Sequence, residues 1–556
     1  MALCNNSIGQ SFAHFFKDTS VCQMPYFSCT NQCKPNYQEA IMKRKLLLIA
    51  LSLFTFCTAF AQKAVKKTNQ PKPNIVYILA DDMGYGELGC YGQDKIETPN
   101  LDALAKRGMR FTQHYAYPVC APSRYILMTG QNSGKAFIRG NHEWGERGPV
   151  WDFKAMEENP YLEGQYPIPD STVTLAEVLK GAGYTTGMVG KWGLGAPFTT
   201  GFPTQQGFDY FYGYICQRQD HTYYSGHLWE NENRIPLDNK IQAPTVTFPK
   251  GLDSLDEKNY AQYAQKDYAP DFLIKAALKF IDKNAAKPFF LYYPTPLPHV
   301  SLQAPKDLVA YYHQKFGDEK PFLGDGSYFP CRYPRATYAA MITLLDRQVG
   351  ELIKELKTKG VYDNTIILFS ADNGVAFNAG VDPTFFNSAG PFKGNFGWGK
   401  GFVHEGGIRE PFIVSWPGKV KAGSTSDLIA STMDMMPTFC DLLGLKTPKE
   451  VDGISILPTL LGQQQKNTHP YLYFEYPEYG GQQAIRLGNW KGVRLNMLKG
   501  NSKWTLYNLE NDIKEENDLA AKHPDIVEKM IKISKQEHRT PALSRFLIPV
   551  LEQEMK

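Results

Sequence analysis

The chain lacks an excess of charge of either sign: 60 Lys and Arg face 56 Asp and Glu, leaving +4 over 556 residues. So weak a bias offers no basic surface for nucleic acid and no electrostatic hold on an anionic membrane. It also lacks an apolar run long enough to span a bilayer. Leu46 to Phe56 is too short for a stop-transfer helix, which excludes stable membrane insertion. Preceded by Lys43-Arg44-Lys45 and followed by Ala59-Phe60-Ala61, that run has the layout of a secretory signal peptide over 42–61. The reading implies an exported protein, periplasmic or secreted. Residues 1–41 carry no readable periodicity and are expected to be an upstream extension, with Met42 the true start. Cysteine is sparse as well. Past the signal only Cys90, Cys120, Cys216, Cys331 and Cys440 remain, an odd number that leaves at least one unpaired. No internal repeat is visible.

What is present is an α/β pattern. After a linker over 62–73, Asn74 to Ala80 is a continuous apolar run, the mark of a strand buried on both faces. Similar runs recur at 185–190, 288–293, 364–370 and 411–416, alternating with helical patterns at 172–181, 270–284, 335–358 and 433–443. Alternation of this kind predicts a sheet with helices on both faces, here a catalytic domain over 74–462. From 463 to 556 the texture changes to short strands at 471–476, 483–487, 490–495 and 504–509, then a helix at 523–536. This predicts a smaller antiparallel α+β domain.

Two of the buried runs end in acidic pairs, Asp81-Asp82 and Asp372-Asn373, each followed closely by glycine. In an open α/β sheet, functional groups gather beyond the carboxyl ends of the strands. Either pair alone could cap a helix or make a turn. Together they supply an all-oxygen ligand set suited to a hard divalent cation, Ca2+ or Mg2+. Between them in sequence lies Pro118-Val119-Cys120-Ala121-Pro122-Ser123-Arg124, followed by Leu127-Met128-Thr129-Gly130. Further on come Gly190-Lys191-Trp192-Gly193, Pro298-His299, and Gly399-Lys400-Gly401-Phe402-Val403-His404-Glu405-Gly406-Gly407.

In order and spacing these motifs resemble the type I, formylglycine-dependent sulfatases, bacterial carbohydrate sulfatases in particular, over roughly residues 73 to 520. The resemblance implies an alkaline-phosphatase-like α/β/α sandwich with a mixed central sheet. It further implies that Cys120 is oxidised to formylglycine (3-oxoalanine) by a maturation enzyme, and that one Ca2+ is held by Asp81, Asp82, Cys120, Asp372 and Asn373. Arg124 would steady the formylglycine, Lys191 and Lys400 would contact the sulfate, and His299 would protonate the leaving oxygen. The substrate implied is a sulfate ester on a carbohydrate, with galactose or N-acetylgalactosamine sulfate favoured and exo action expected. Arg218, His221, Glu475 and Arg486 are candidate substrate contacts, the last two on hairpins that are as well read as ordinary surface. The chain departs from Lys-Trp-His-Leu-Gly at Gly193, so another histidine, with His221, His227 and His404 as candidates, or another proton route must serve there. His404, Glu405 and Arg409 read as structural, their glycines permitting close backbone approach. A phosphoester or phosphonate hydrolase of the same superfamily and a catalytically silent glycan-binding protein are the alternatives.

Overall fold

A computed structural model describes residues 72–556, together with Met42. The signal peptide, the upstream extension and nearly all of the linker lie outside the described residues. Pro71–Lys556 forms one compact unit.

The core is a mixed sheet whose strands run in the order β10-β2-β9-β8-β1-β7-β3-β4-β5-β6, with β11 also paired to β2. In chain order these are β1 (Asn74–Ala80), β2 (Met109–Tyr115), β3 (Thr185–Lys191), β4 (Tyr210–Tyr214), β5 (His227–Glu230), β6 (Asn233–Pro236), β7 (Phe289–Pro294), β8 (Thr365–Ala371), β9 (Arg409–Ser415), β10 (Ser424–Ser426) and β11 (Ala430–Ser431). β1 lies at the centre, parallel to β7 on one side and to β8 on the other. Alternate side chains of β1 enter different layers. Val76, Ile78 and Ala80 join a core with the helices Ala269–Asn284 and Pro334–Thr358. Ile75, Tyr77 and Leu79 join one with the helices Cys120–Thr129, Leu175–Gly181 and Met435–Leu443. Two covered faces explain why β1 reads as an unbroken apolar run rather than an alternation.

The C-terminal strands β12 (Leu472–Tyr476), β13 (Gln482–Leu487), β14 (Trp490–Arg494) and β15 (Thr505–Asn508) form a separate antiparallel sheet. One face packs Tyr473, Ile485, Trp504 and Leu506 on Met530 and Ile533 of the helix Pro524–Glu537. The other packs Leu472, Phe474, Tyr476 and Val493 against Tyr115, Tyr117, Val119 and Ile126. The small sheet thus shares a core with the segment that leads into Cys120. The expected strands and helices are present within a few residues. Strands β2, β4, β10 and β11 and the hairpin β5–β6 were not anticipated; in β4–β6 Gly and polar residues break up the apolar pattern.

Candidate active site

Register assembles the acidic pairs. β1 and β8 are parallel with Ala80 opposite Ala371, so Asp81-Asp82 and Asp372-Asn373 leave the sheet side by side. Asp82 takes a left-handed backbone (φ 63°), which ends β1 sharply. Its N–H donates to Asp372 Oδ1 at 3.2 Å, and Asp372 N–H donates to Ala80 O at 3.1 Å. Gly374 is required by the approach of the 404–407 segment, since a Cβ there would lie 2.0 Å from Gly406 O.

Cys120 is the first residue of a ten-residue helix, and its Sγ lies 3.2 Å from Asp81 Oδ1 and 3.9 Å from Asp82 Oδ1. One turn on, Arg124 is fully buried. Its Nη2 reaches Asp81 Oδ2 at 3.2 Å and Asp372 Oδ2 at 2.9 Å, and Nη1 donates to Lys191 O. The i, i+4 spacing puts the thiol and the guanidinium on one helix face. Lys191 closes β3 with Nζ 2.6 Å from Asp81 Oδ2 and 3.0 Å from Asp220 Oδ2. Lys400 Nζ lies 2.7 Å from Asp82 Oδ2; its loop is tied down by Gly401 N–H donating to Pro118 O at 2.8 Å. His299 Nε2 stands 3.6 Å from Asp82 Oδ2, and its Nδ1 pairs with Val300 O. Tyr223 OH reaches both Pro296 O and His299 O at 2.7 Å, fixing that loop.

The electrostatics follow from burial. Burial pushes Asp81 up, but Lys191, His299 and Arg124 outweigh it and hold Asp81 well below the usual carboxylate range. Burial and the charge of Asp81 push Asp372 up to about 7 despite Arg124. Burial and Asp81 push the Cys120 thiol well up, against the pull of Lys191 and Lys400. Burial, with Lys400 and Lys191 nearby, drives His299 well below its ordinary value. The ligand atoms of Asp81, Asp82, Cys120 and His299 all lie within 4.8 Å of one another, a buried cluster that could hold a metal ion. The donors fit a hard dication. Asn373 Nδ2 donates to Asp82 Oδ1 at 2.8 Å, whereas its Oδ1 is buried with no hydrogen-bond partner. A buried carbonyl oxygen left unpaired among carboxylates is what a cation would satisfy.

The structure therefore brings Asp81, Asp82, Cys120, Arg124, Lys191, His299, Asp372, Asn373 and Lys400 to one point. Of the three histidines considered as replacements at position 193, His221 alone joins them. Its ring stacks on His299 (centroids 5.4 Å apart, planes at 22°) and lies 5.0 Å from Tyr328. His227 is buried between Glu157 and Glu163, and His404 pairs with Glu515 Oε1 at 3.1 Å. Gly193 itself has φ 79°, which strains any larger residue, and a Cβ there would meet Gln217 Nε2 at 2.4 Å, so a histidine at this position would require the Gln217 side chain to move.

Two expectations need correction. Glu475 and Arg486 are neither substrate contacts nor hairpin surface. Glu475 is fully buried among Arg139, Tyr473 OH (2.7 Å) and His538 Nδ1 (2.8 Å). Arg486 donates to Tyr115 OH at 2.6 Å and Gln113 Oε1 at 2.9 Å. Arg218, two residues before Asp220, is half-buried, lies against the Trp151 ring at 5.0 Å and donates to Val150 O. His404, Glu405 and Arg409 are structural, as expected: Glu405 receives Lys491 at 2.9 Å and Arg409 at 3.0 Å. Asp220, the counter-charge of Lys191, was missed. Its signal is the burial that a lysine closing a core strand demands, since such an ammonium needs a second carboxylate. All five cysteines among the described residues are unpaired.

A fold of this kind with this cluster at its strand ends defines an alkaline-phosphatase-like hydrolase. The sulfatase family profile matches residues 73–445, and one for the C-terminal part of N-sulphoglucosamine sulphohydrolase matches residues 394–539. The chain belongs to the sulfatase family and is a sulfuric ester hydrolase. It is 32% identical to N-acetylgalactosamine-6-sulfatase of Rattus norvegicus over 464 residues, covering 81% of this chain and 75% of that one. To N-acetylgalactosamine-6-O-sulfatase of Bacteroides thetaiotaomicron it is 30% identical over 545 residues, covering 88% and 97%. Among solved structures, Ps i-CgsB superposes with a TM-score of 0.65 at 28% identity, covering 85% of this chain and 94% of that one. The same protein has been crystallised with k-i-k-neocarrahexaose.

Proposed function

We propose that this chain is exported and hydrolyses a sulfate ester of N-acetylgalactosamine or galactose at a glycan end, using formylglycine made from Cys120 and a Ca2+ ion. The observation that carries this reading is the position of Cys120: a buried helix-start side chain 3.2 Å from a carboxylate, ringed by Lys191, Lys400 and His299. As a thiol it is held protonated by burial and Asp81, the reverse of the setting a catalytic thiolate needs. Formylglycine there would supply a hydrated aldehyde oxygen as nucleophile. A Ca2+ held by Asp81, Asp82, Asp372 and Asn373 would supply Lewis-acid polarisation of the sulfate oxygens.

The chain's own groups divide the remaining work. Lys191 and Lys400 present ammonium groups from opposite carboxylates, placed to bind sulfate oxygens as charge builds on them. Arg124 locks Asp81 and Asp372 in place and stays charged. His299 reaches the cluster through Nε2 while Nδ1–H is held by Val300 O, so Nε2 is the free ring nitrogen at which a proton would be taken up and passed to the leaving sugar oxygen. The sugar preference draws on the relatives named N-acetylgalactosamine-6-sulfatase and 6-O-sulfatase, which point to the 6-position. The basic, apolar and A-x-A stretches of 42–61 support export.

The test is to express the full chain with a formylglycine-generating enzyme and take the mass of the tryptic peptide Phe111–Arg124. Turnover of N-acetylgalactosamine 6-sulfate, galactose 6-sulfate and an aryl phosphate is then compared. An aldehyde or its hydrate at position 120 with sulfate release from a sugar is expected. An unmodified thiol in active protein, or faster phosphate than sulfate release, overturns the reading.

A further inference from the structure

One wall of the site is built from aromatic rings that the chemistry above does not use. The loop bearing Lys400 continues into Phe402, and its ring lies 5.3 Å from Phe396 and 6.3 Å from Phe377, which are 5.3 Å from each other. From the C-terminal sheet, Tyr479 joins this row 5.5 Å from Phe402 and packs on Gly401, where a Cβ would meet its ring at 3.1 Å. Phe396 is 70% exposed and Tyr479 is 52% exposed. Phe402 between them is only 8% exposed, so its ring backs the two exposed ones, and edge-to-face packing on it holds them as one rigid surface. Tyr479 takes a left-handed backbone (φ 48°), followed by Gly480 and Gly481 at positive φ. A bulky residue held in that conformation is a local strain that function often explains.

The row starts at the catalytic lysine and runs outward. Gly401 N–H is bonded to Pro118 O, two residues before Cys120. Lys400, Asp82 and Cys120 all act electrostatically on the Tyr479 hydroxyl, which burial raises. From Tyr479 the rings step to Phe402 and then to Phe396.

We propose that Phe396 and Tyr479, backed by Phe402 and Phe377, form a ledge on which the sugar next to the sulfated one stacks, making an oligosaccharide the preferred substrate. The occupant is a pyranose ring presenting its C–H face, because the ledge offers aromatic faces and edges on which such a face packs. This rests on the sulfatase reading of the same site.

The experiment compares kcat and KM of the matured enzyme and of Phe396→Ala on N-acetylgalactosamine 6-sulfate and on a trisaccharide ending in that sugar. Phe396 is mostly exposed, so the variant should fold. The wild type should favour the trisaccharide. The variant should raise KM for it about tenfold, with kcat held and the monosaccharide changed less than twofold. Equal losses on both substrates, or none, overturn the ledge. Calorimetric titration of both proteins with the desulfated trisaccharide separates the two ideas. If the wild type hydrolyses neither sulfated sugar, the sulfatase reading fails. Binding that Phe396→Ala weakens about tenfold then still upholds the ledge, and binding it leaves unchanged removes it.

Discussion

Two groups of buried charges lie within this one compact unit, and they are organised differently. Around the C-terminal sheet, Glu405 receives Lys491, Arg409 and Tyr115 OH, while Glu515 receives Lys491 and His404. Glu475 is likewise matched by Arg139, Tyr473 and His538. Each acidic group there faces named donors and the network is closed. At the ends of β1 and β8 the balance is open. Asp81, Asp82 and Asp372 crowd together, Asp372 is pushed up to about 7 by burial and Asp81, and Asn373 Oδ1 has no partner. Charges that satisfy one another hold a fold; charges that converge with an acceptor left over hold something else.

The contrast is broken most severely by Cys120→Ala. Sulfate release should fall about 10^4-fold or more, while thermal unfolding stays within a few degrees of wild type. Lost stability with retained specific activity would place Cys120 among the structural residues. Chelation of divalent cations comes next: activity should drop at least a hundredfold and return with Ca2+, read by sulfate release during dialysis and re-addition. The reverse pattern is expected of Glu405→Gln. It leaves Lys491, Arg409 and Arg486 poorly matched, costing about 3–5 kcal/mol in chemical denaturation with kcat of the folded enzyme nearly unchanged.

A milder probe is pH. Burial opposes protonation of His227, but hydrogen bonds to Glu157 and Glu163 outweigh it and raise the ring from 6.5 to about 9. A raised value means stability that is full below about pH 6.5 and lost as pH climbs through about 9, on the order of 3 kcal/mol. The melting temperature should fall across that window, and His227→Gln should flatten the fall. A steep fall retained in the variant would assign it to another group. The smallest effect is expected of Arg486→Lys: KM for the sulfated sugar should stay within twofold, because Arg486 is spent on Tyr115 and Gln113.

Much of this was legible along the chain. Asn74 to Ala80 and 364–370 announce themselves as doubly covered strands, and the acidic residues that end them have no apolar reason to be there. Cys120, Arg124, Lys191, His299 and Lys400 stand in motifs specific enough to find without coordinates. Glu475 and Arg486 were misjudged because a charged residue on a short alternating strand looks solvent-facing. Their strands are covered on both sides, by the helix Pro524–Glu537 and by Tyr115 and Ile126. Tyr328 and the row from Phe377 to Tyr479 had no pattern of their own, since they come together only where separate loops converge.

The sequence alone determined the sheet's central strands, the acidic ends and the order of the functional groups, because burial and strand termination are local consequences of side-chain type. Tertiary structure decided which charges are shared and which are left over. Register sets Asp81 beside Asp372, packing gives Lys191 its second carboxylate, and the small sheet carries Tyr479 to the rim. Those contacts join residues hundreds of positions apart, and distance in space, not spacing in sequence, fixes the strength of a buried charge.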